Sequence, residues 1–514
     1  MRSKSALLNV LTGWLGQLLI VAANLLSRKV FLNSLGELYL GLNGLLTNVV
    51  TFLSMAELGI GTAITFSLYK PIADHDIPAI KSLMLFFKKV YWSFGSIIFV
   101  MGLAVSPFLP LIVGKEKEVE GLFPIFLFFV LNTSVSYFFS YKSTFLIADQ
   151  KGYIFNINHY IWQCLMYCSQ IAILLIWKNY YLYLTVQLLT TILSNVVIVR
   201  ICDKLYPFLK EKDVDPIGPE TKKEIYKNTG SLILNRVGNT MVNSTDNILI
   251  SMLVSVESVA RYNNYTTVIS AAAGFLQKGI MASVSSVANF NVQESNQKKL
   301  EVFEMYSMLC TWLFGWLTIS AFFLVPPFVQ FFYGETYMLN KFTLGLMCIN
   351  SFLDSQIILF SIFISAMGLY WHTRYVGIIQ ALINLVISII AGKLMGIGGI
   401  IIGTFLSKMC YSFWKESHVV LNTGLNAGRR KYLLSLLCDT IILLLIAAII
   451  YFISTYLSNN VYIYFLELLV ICTIIPNLCM YLIKRKTKSF QRIKTILLNV
   501  VIRKIRNRLK PNPD

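Results

Sequence analysis

The feature that most constrains this chain is its succession of long apolar segments. Fourteen can be read along it: six between residues 6 and 201, six between 228 and 414, and two more at 432–456 and 461–483. A helix rises about 1.5 Å per residue, so about 20 apolar residues cross a hydrocarbon core of about 30 Å. Fourteen such segments leave no extended hydrophilic domain in 514 residues, and a mean hydropathy of +0.66 excludes a soluble globular protein. The expected fold class is an all-α polytopic membrane protein of about 14 transmembrane helices. Residues 1–26 turn from basic to apolar, but the apolar part is long and has no small-x-small cleavage site. They are expected to be a retained first span.

A formal net charge of +19 would raise nucleic-acid binding in a soluble protein. Here its placement points to topology instead, and no nucleic-acid partner is expected. With the N-terminus inside, Lys204, Lys210, Lys212, Lys222 and Lys223, then Lys298 and Lys299, then Arg429, Arg430 and Lys431 all face the cytoplasm. The outward connections keep Lys115, Lys117, Lys178, Lys341 and Lys393. Basic residues concentrate on the inner side of membrane proteins, so both termini are expected to be cytoplasmic.

The chain repeats itself. Val105–Gly114 matches Val325–Gly334 at an offset of 220 residues, with Pro107 over Pro327 and Phe108 over Phe328; Phe94 and Gly95 fall on Phe314 and Gly315 at the same offset. Six spans in each copy make the copies parallel, related by an axis along the membrane normal. The expected domains are an N-lobe over 1–201, a cytoplasmic linker over 202–227, a C-lobe over 228–425, an added helix pair over 426–483 and a tail over 484–514. The tail has eleven Lys or Arg between residues 484 and 510 and no acid there. Phe490, Ile493, Ile496, Leu497 and Val500 follow helical spacing, the pattern of a basic amphipathic helix on an anionic leaflet.

The most polar span is 228–255. It carries Arg236 and Asp246, with Asn235, Asn239, Asn243 and Asn247 spaced four residues apart on one drifting face. A polar face is too costly against lipid, so it should look into protein or a wet cavity. The cationic candidates for holding an anionic group there are Arg28, Arg236, Arg261 and Lys278, with arginine suited to bidentate phosphate contact. Among buried acids, Asp246 suits either a coupling cation or proton or a charge pair with a cation such as Arg28. Glu57, beside the small residues Gly59 and Gly61, suits either coupling or a packing hydrogen bond. Trp14 and Tyr265 are aromatic candidates for stacking on a sugar.

Catalysis is not expected. The four histidines sit near span ends, no phosphate-binding loop motif is present, and no Cys or His cluster has zinc-ligand spacing, so no metal site is expected. No cofactor is expected apart from a coupling ion, left open between sodium and proton.

The runs GELYLGLNGLLTNVVTFLSMAELGIGTAITFSLYKPIADHD (36–76) and STDNILISMLVSVESVARYNNYTTVIS (244–270) resemble the Wzx-type polysaccharide transporters. These are lipid-linked oligosaccharide flippases of the multidrug/oligosaccharidyl-lipid/polysaccharide superfamily. The resemblance covers about residues 5–425. It implies two lobes around a central cationic cavity that opens to each side in turn. It implies an undecaprenyl-diphosphate-linked oligosaccharide as cargo, for capsule, O-antigen or exopolysaccharide assembly in a bacterial cytoplasmic membrane. Membrane lipids, a polysaccharide polymerase and glycosyltransferases are the partners it implies. Related flippases engage the diphosphate with arginines of the first and eighth spans; Arg28 matches the first, and Arg261 or Lys278 the second. The alternative is a cation-coupled exporter of drugs and small amphiphiles on the same scaffold.

Overall fold

A computed structural model describes residues 2–57, 60–114, 119–149, 151–211, 216–218, 238, 240–242, 244–281 and 295–495. The chain is all-α, with no strand among the described residues. Eleven helical runs among them are long and apolar enough to cross a membrane, which makes this a multi-pass membrane protein.

The helices that matter below are α1 (Arg2–Leu53), α2 (Ile60–Ala73), α3 (Ile77–Val105), α4 (Leu122–Ala148), α5 (Gly152–Ile176) and α6 (Tyr180–Leu205). They continue as α7 (Val256–Met281), α8 (Asn296–Tyr333), α9 (Lys341–Met367), α10 (Val376–Met395), α11 (Ile397–Ser407), α12 (Phe413–His418), α13 (Arg429–Ser454) and α14 (Val461–Lys484).

Three details account for the difference between eleven runs and fourteen expected spans. First, α1 is two helices joined at Gly36, whose φ of 86° and ψ of 177° lie outside the helical region and favour glycine. At about 1.5 Å per residue an unbroken helix of 52 residues would be far longer than a bilayer is thick, so the break is required. It falls within the run Asn33-Ser34-Leu35-Gly36-Glu37, which parts two apolar stretches. Second, α7 is helical but not apolar enough to count as a run. Third, the span expected at 228–254 lies partly outside the described residues, including Arg236, Asn235, Asn239 and Asn243. The second expected span, 38–68, is not one helix: α1 ends at Leu53, a 3₁₀ turn covers Ser54–Glu57, and α2 begins at Ile60.

The repeat is visible in backbone conformation. Gly114 closes the first copy of the motif with φ 96°, and Gly334 closes the second with φ 111°. Both glycines stand where a side chain would be strained. The two spans that end there, Ile77–Val113 and Asn296–Tyr333, are 37 and 38 residues long.

The chain forms two compact units, each discontinuous in sequence: Met1–Asn263 with Arg374–Thr404, and Asn264–Thr373 with Phe405–Asp514. In the first, α1 packs along α5, and α3 along α4. Small residues set the second of these contacts: a Cβ on Gly95 would meet Phe138, and one on Gly102 would meet Val130 at 2.6 Å. In the second unit, α8 is the central element and packs on α9, α13 and α14 around Phe303, Phe314, Phe360 and Phe363. The described start of the tail, residues 484–495, packs on this unit. Phe490 stacks on Trp312 at 6.1 Å and meets the edge of Tyr481 at 5.7 Å, so this part of its apolar face covers protein rather than lying open to a leaflet.

Candidate functional site

Three polar clusters stand within the membrane-spanning helices, each inside one unit. The first surrounds the break in α1. Arg28, one helical stretch before Gly36, donates from Nη2 to the Ala260 carbonyl of α7 at 3.3 Å. The next residue, Arg261, holds Glu37 through Nε at 2.6 Å and Nη2 at 3.4 Å, a forked contact on the residue just after the break. The fold thus brings two of the expected cations together, and it neutralises Arg261 with a carboxylate that the sequence reasoning did not single out. Glycines allow the approach: a Cβ on Gly41 would lie 2.0 Å from the Val256 carbonyl oxygen, and one on Gly44 would lie 2.2 Å from the Asn263 amide nitrogen. Aromatic rings wall the same region, with Phe31 5.5 Å from Tyr180 and 5.0 Å from Tyr183.

The second cluster centres on Asp246, which is 6% exposed. Thr404 Oγ1 lies 3.1 Å from both Asp246 carboxylate oxygens, and Asn384 Nδ2 donates to Thr404 Oγ1 at 2.9 Å. Tyr262 donates its hydroxyl to Asp246 Oδ2 at 3.5 Å. Ser388, one turn along α10 from Asn384, donates to the Ile400 carbonyl at 3.0 Å. Two hydroxyls, Tyr262 of α7 and Thr404 of α11, therefore meet one buried carboxylate, and Asn384 of α10 stands behind Thr404. The convergence is built by close backbone contact. A Cβ on Gly399 would lie 1.9 Å from the Ala391 carbonyl oxygen, and one on Gly403 would lie 2.0 Å from Ser388 Oγ. Gly399 and Gly403 are one helical turn apart, the small-x-x-x-small arrangement that lets membrane helices touch. Gly238 likewise abuts the backbone of Gly377. The neighbouring Asn247 donates to Asn263 at 3.2 Å. Its buried Oδ1 has no partner among the described residues.

The third cluster is in the second unit. Lys408 opens a π-helical turn, Lys408–Ser412, between α11 and α12, and pairs with Asp354 of α9 at 2.7 Å. The Lys408 side chain is 7% exposed and that of Asp354 49%. A π-turn inserts an extra residue into the helix, shifts its face locally, and concentrates at functional sites. The sequence reasoning did not single out Lys408. The signal was available: it is a lone cation in the apolar run IIIGTFLSKMCYSF.

The remaining candidates are placed as follows. Lys278 is exposed near the C-terminal end of α7 and belongs to the second unit, whereas Arg28 and Arg261 belong to the first. Arg236 lies outside the described residues. Glu57 ends the 3₁₀ turn, and its side chain is outside the described part. Trp14 is likewise outside as a side chain. Tyr265 is fully buried, and its hydroxyl accepts from the Leu339 N–H at 3.1 Å, a packing role instead of the sugar platform expected. A polar space of about 260 Å³ opens among α4, α5 and α6, lined by Ser140, Asn158, His159, Trp162 and Asn195.

No protein-family model matches this chain, and no curated protein sequence matches it. Solved structures do. The chain is similar to the lipid II flippase MurJ in an inward closed conformation, with 12% identity and a TM-score of 0.71, over 93% of this chain and 99% of that one. It is similar to an inward-facing multidrug resistance MATE family transporter of the MOP superfamily, with 15% identity and a TM-score of 0.61, over 80% of this chain and 95% of that one. A MATE transporter of Vibrio cholerae matches with 12% identity and a TM-score of 0.55, over 81% and 96%. At these identities the likeness establishes the fold alone, which the chain shares with these transporters.

Proposed function

We propose that this protein is a flippase that moves an undecaprenyl-diphosphate-linked oligosaccharide from the inner to the outer leaflet of a bacterial cytoplasmic membrane. Its headgroup would be held by cations within the helices while the polyprenyl tail stays in lipid. Alternation between inward and outward access would carry the headgroup across. The observation that carries this reading is Arg28: a guanidinium inside the first helix, beside the backbone break, reaching the Ala260 carbonyl at 3.3 Å. Intramembrane charge is costly and marks transport paths. A guanidinium can exchange a neutral carbonyl for a phosphate and gain a charge-assisted contact. The likeness to a lipid II flippase adds support, because it runs over 93% of the chain against 80% for the MATE transporter.

Transport against a gradient needs a coupled ion, and Asp246 is the place we assign to it. One buried carboxylate with the Thr404 and Tyr262 hydroxyls against it offers hard oxygen ligands for sodium, or a site for a proton. Glu57 and the intramembrane pair Lys408–Asp354 are secondary candidates for coupling or cargo contact. The chain moves its substrate without transforming it. A polymerase and glycosyltransferases would use and supply the cargo, and both termini would be cytoplasmic.

The second reading, a cation-coupled exporter of small amphiphiles, is favoured by the fold shared with MATE transporters and by a buried acid at position 246. Deletion of the gene separates the two. Loss of surface glycan with accumulation of the lipid-linked precursor supports the flippase; unchanged glycan with raised sensitivity to cationic drugs supports the exporter.

A further inference from the structure

The second unit contains a cavity that plays no part in the clusters above. It has a volume of about 720 Å³ and lies where the start of α8, the start of α13 and the end of α14 meet. Those three helix ends lie on the side that the charge distribution assigns to the cytoplasm. Four basic residues line it: Arg430, Lys431, Lys484 and Lys488. Two acids also line it, and both are already engaged. Glu304 pairs with Lys431 at 2.6 Å, and Asp439 pairs with Lys484. Arg430 and Lys488 remain without a carboxylate among the described residues. Both line the same space, so an anion that enters it meets two cations with no carboxylate of their own.

The rest of the lining fits a particular kind of anion. Ser307 and Ser435 add hydroxyl groups, while Phe303, Met308 and Leu421 supply an apolar wall. At the head of α13, Gly428 lines the cavity and caps the helix without a side-chain hydrogen bond, which leaves the first backbone N–H groups unclaimed by a side chain. A polar anion attached to an apolar body satisfies both walls.

We propose that this cavity seats the phosphate headgroup of a membrane lipid, with Arg430 and Lys488 as its charge partners. The chemistry is shared by two sources, an anionic phospholipid of the inner leaflet and a polyprenyl diphosphate, and the site stands whatever cargo the protein carries.

The test uses the full-length protein in detergent and follows Tm on adding phosphatidylglycerol, phosphatidylcholine or undecaprenyl diphosphate. The wild type is compared with Arg430→Gln/Lys488→Gln and with the charge-preserving Arg430→Lys/Lys488→Arg. A lipid bound only by the folded state raises Tm. The proposal expects phosphatidylglycerol to raise Tm of the wild type and of the charge-preserving variant, and to leave that of the glutamine variant unmoved. A response to undecaprenyl diphosphate alone, lost in the glutamine variant, would also support the site and assign its source. Equal responses of the wild type and the glutamine variant to every lipid would overturn it. So would a response to phosphatidylcholine as large as that to phosphatidylglycerol. Both side chains are exposed, so the glutamine variant should fold, and an unchanged Tm without lipid confirms that.

Discussion

Thr404 Oγ1 stands 3.1 Å from both carboxylate oxygens of Asp246, while Asn384 donates to the same hydroxyl at 2.9 Å. The amide thus turns the hydroxyl so that its one hydrogen is directed at the carboxylate. Three helical segments meet at this chain of donors, and a change in the charge of Asp246 alters what all three can satisfy. Thr404→Val keeps the shape and removes the donor. A lost bond to a buried charged group costs about 1.5–3 kcal/mol, so ion affinity should change about tenfold or more. Sodium and pH dependence of transport, compared for Thr404→Val and Asp246→Asn, measure this; Asp246→Asn should abolish dependence on the coupling ion.

The helix contact beneath that cluster should tolerate no added volume. A Cβ at Gly403 would fall 2.0 Å from Ser388 Oγ, so Gly403→Val should destabilise by about 1–3 kcal/mol or prevent assembly of the α10–α11 pair. Gly274 has nothing within 4 Å of its Cβ position and lies inside α7. Gly274→Ala should therefore stabilise, by roughly 0.5–1 kcal/mol. Thermal unfolding in detergent reads both.

Removing either member of the Lys408–Asp354 pair should have unequal effects. Asp354 is half exposed, and a carboxylate so placed inside the membrane must reach water or a polar space. Lys408 is almost wholly enclosed and has no such recourse. Asp354→Asn, which strands a buried ammonium, should cost about 3 kcal/mol or more, while Lys408→Met should cost clearly less. A double-mutant cycle on Tm checks the order; equal costs would mean that the two sides are equally hydrated.

Arg261 is engaged by Glu37, and its loss strands that carboxylate. Arg261→Ala should therefore lower stability as well as transport, and Glu37→Gln in the same chain should recover much of the stability. Transport and Tm measured on the single and double variants separate the two effects.

Much of the fold was legible because hydrocarbon imposes long apolar helices, and because the repeated motif ends in a glycine that each copy needs. Gly114 and Gly334 share a positive φ that the sequence match alone could only suggest. The turn at Asn33–Glu37 was readable from its composition; the break at Ser54–Glu57 was not, because small residues serve both packing and interruption. Arg28 and Arg261 stood out as charges in apolar surroundings, yet nothing local revealed that Glu37 would claim Arg261. Thr404 and Asn384 were invisible, since neutral polar residues are common in membrane spans and these gain meaning only through the contacts that Gly399 and Gly403 allow. The π-turn at Lys408 has no sequence signature.

The most direct test of the central claim is reconstitution in proteoliposomes with a labelled polyprenyl-diphosphate oligosaccharide, following the appearance of headgroup on the opposite leaflet. The account predicts translocation by the wild type. It predicts a fall of about tenfold or more for Arg28→Ala at unchanged Tm, and an intermediate rate for Arg28→Lys, which keeps the charge but loses the fork. Translocation by Arg28→Ala at the wild-type rate would contradict it.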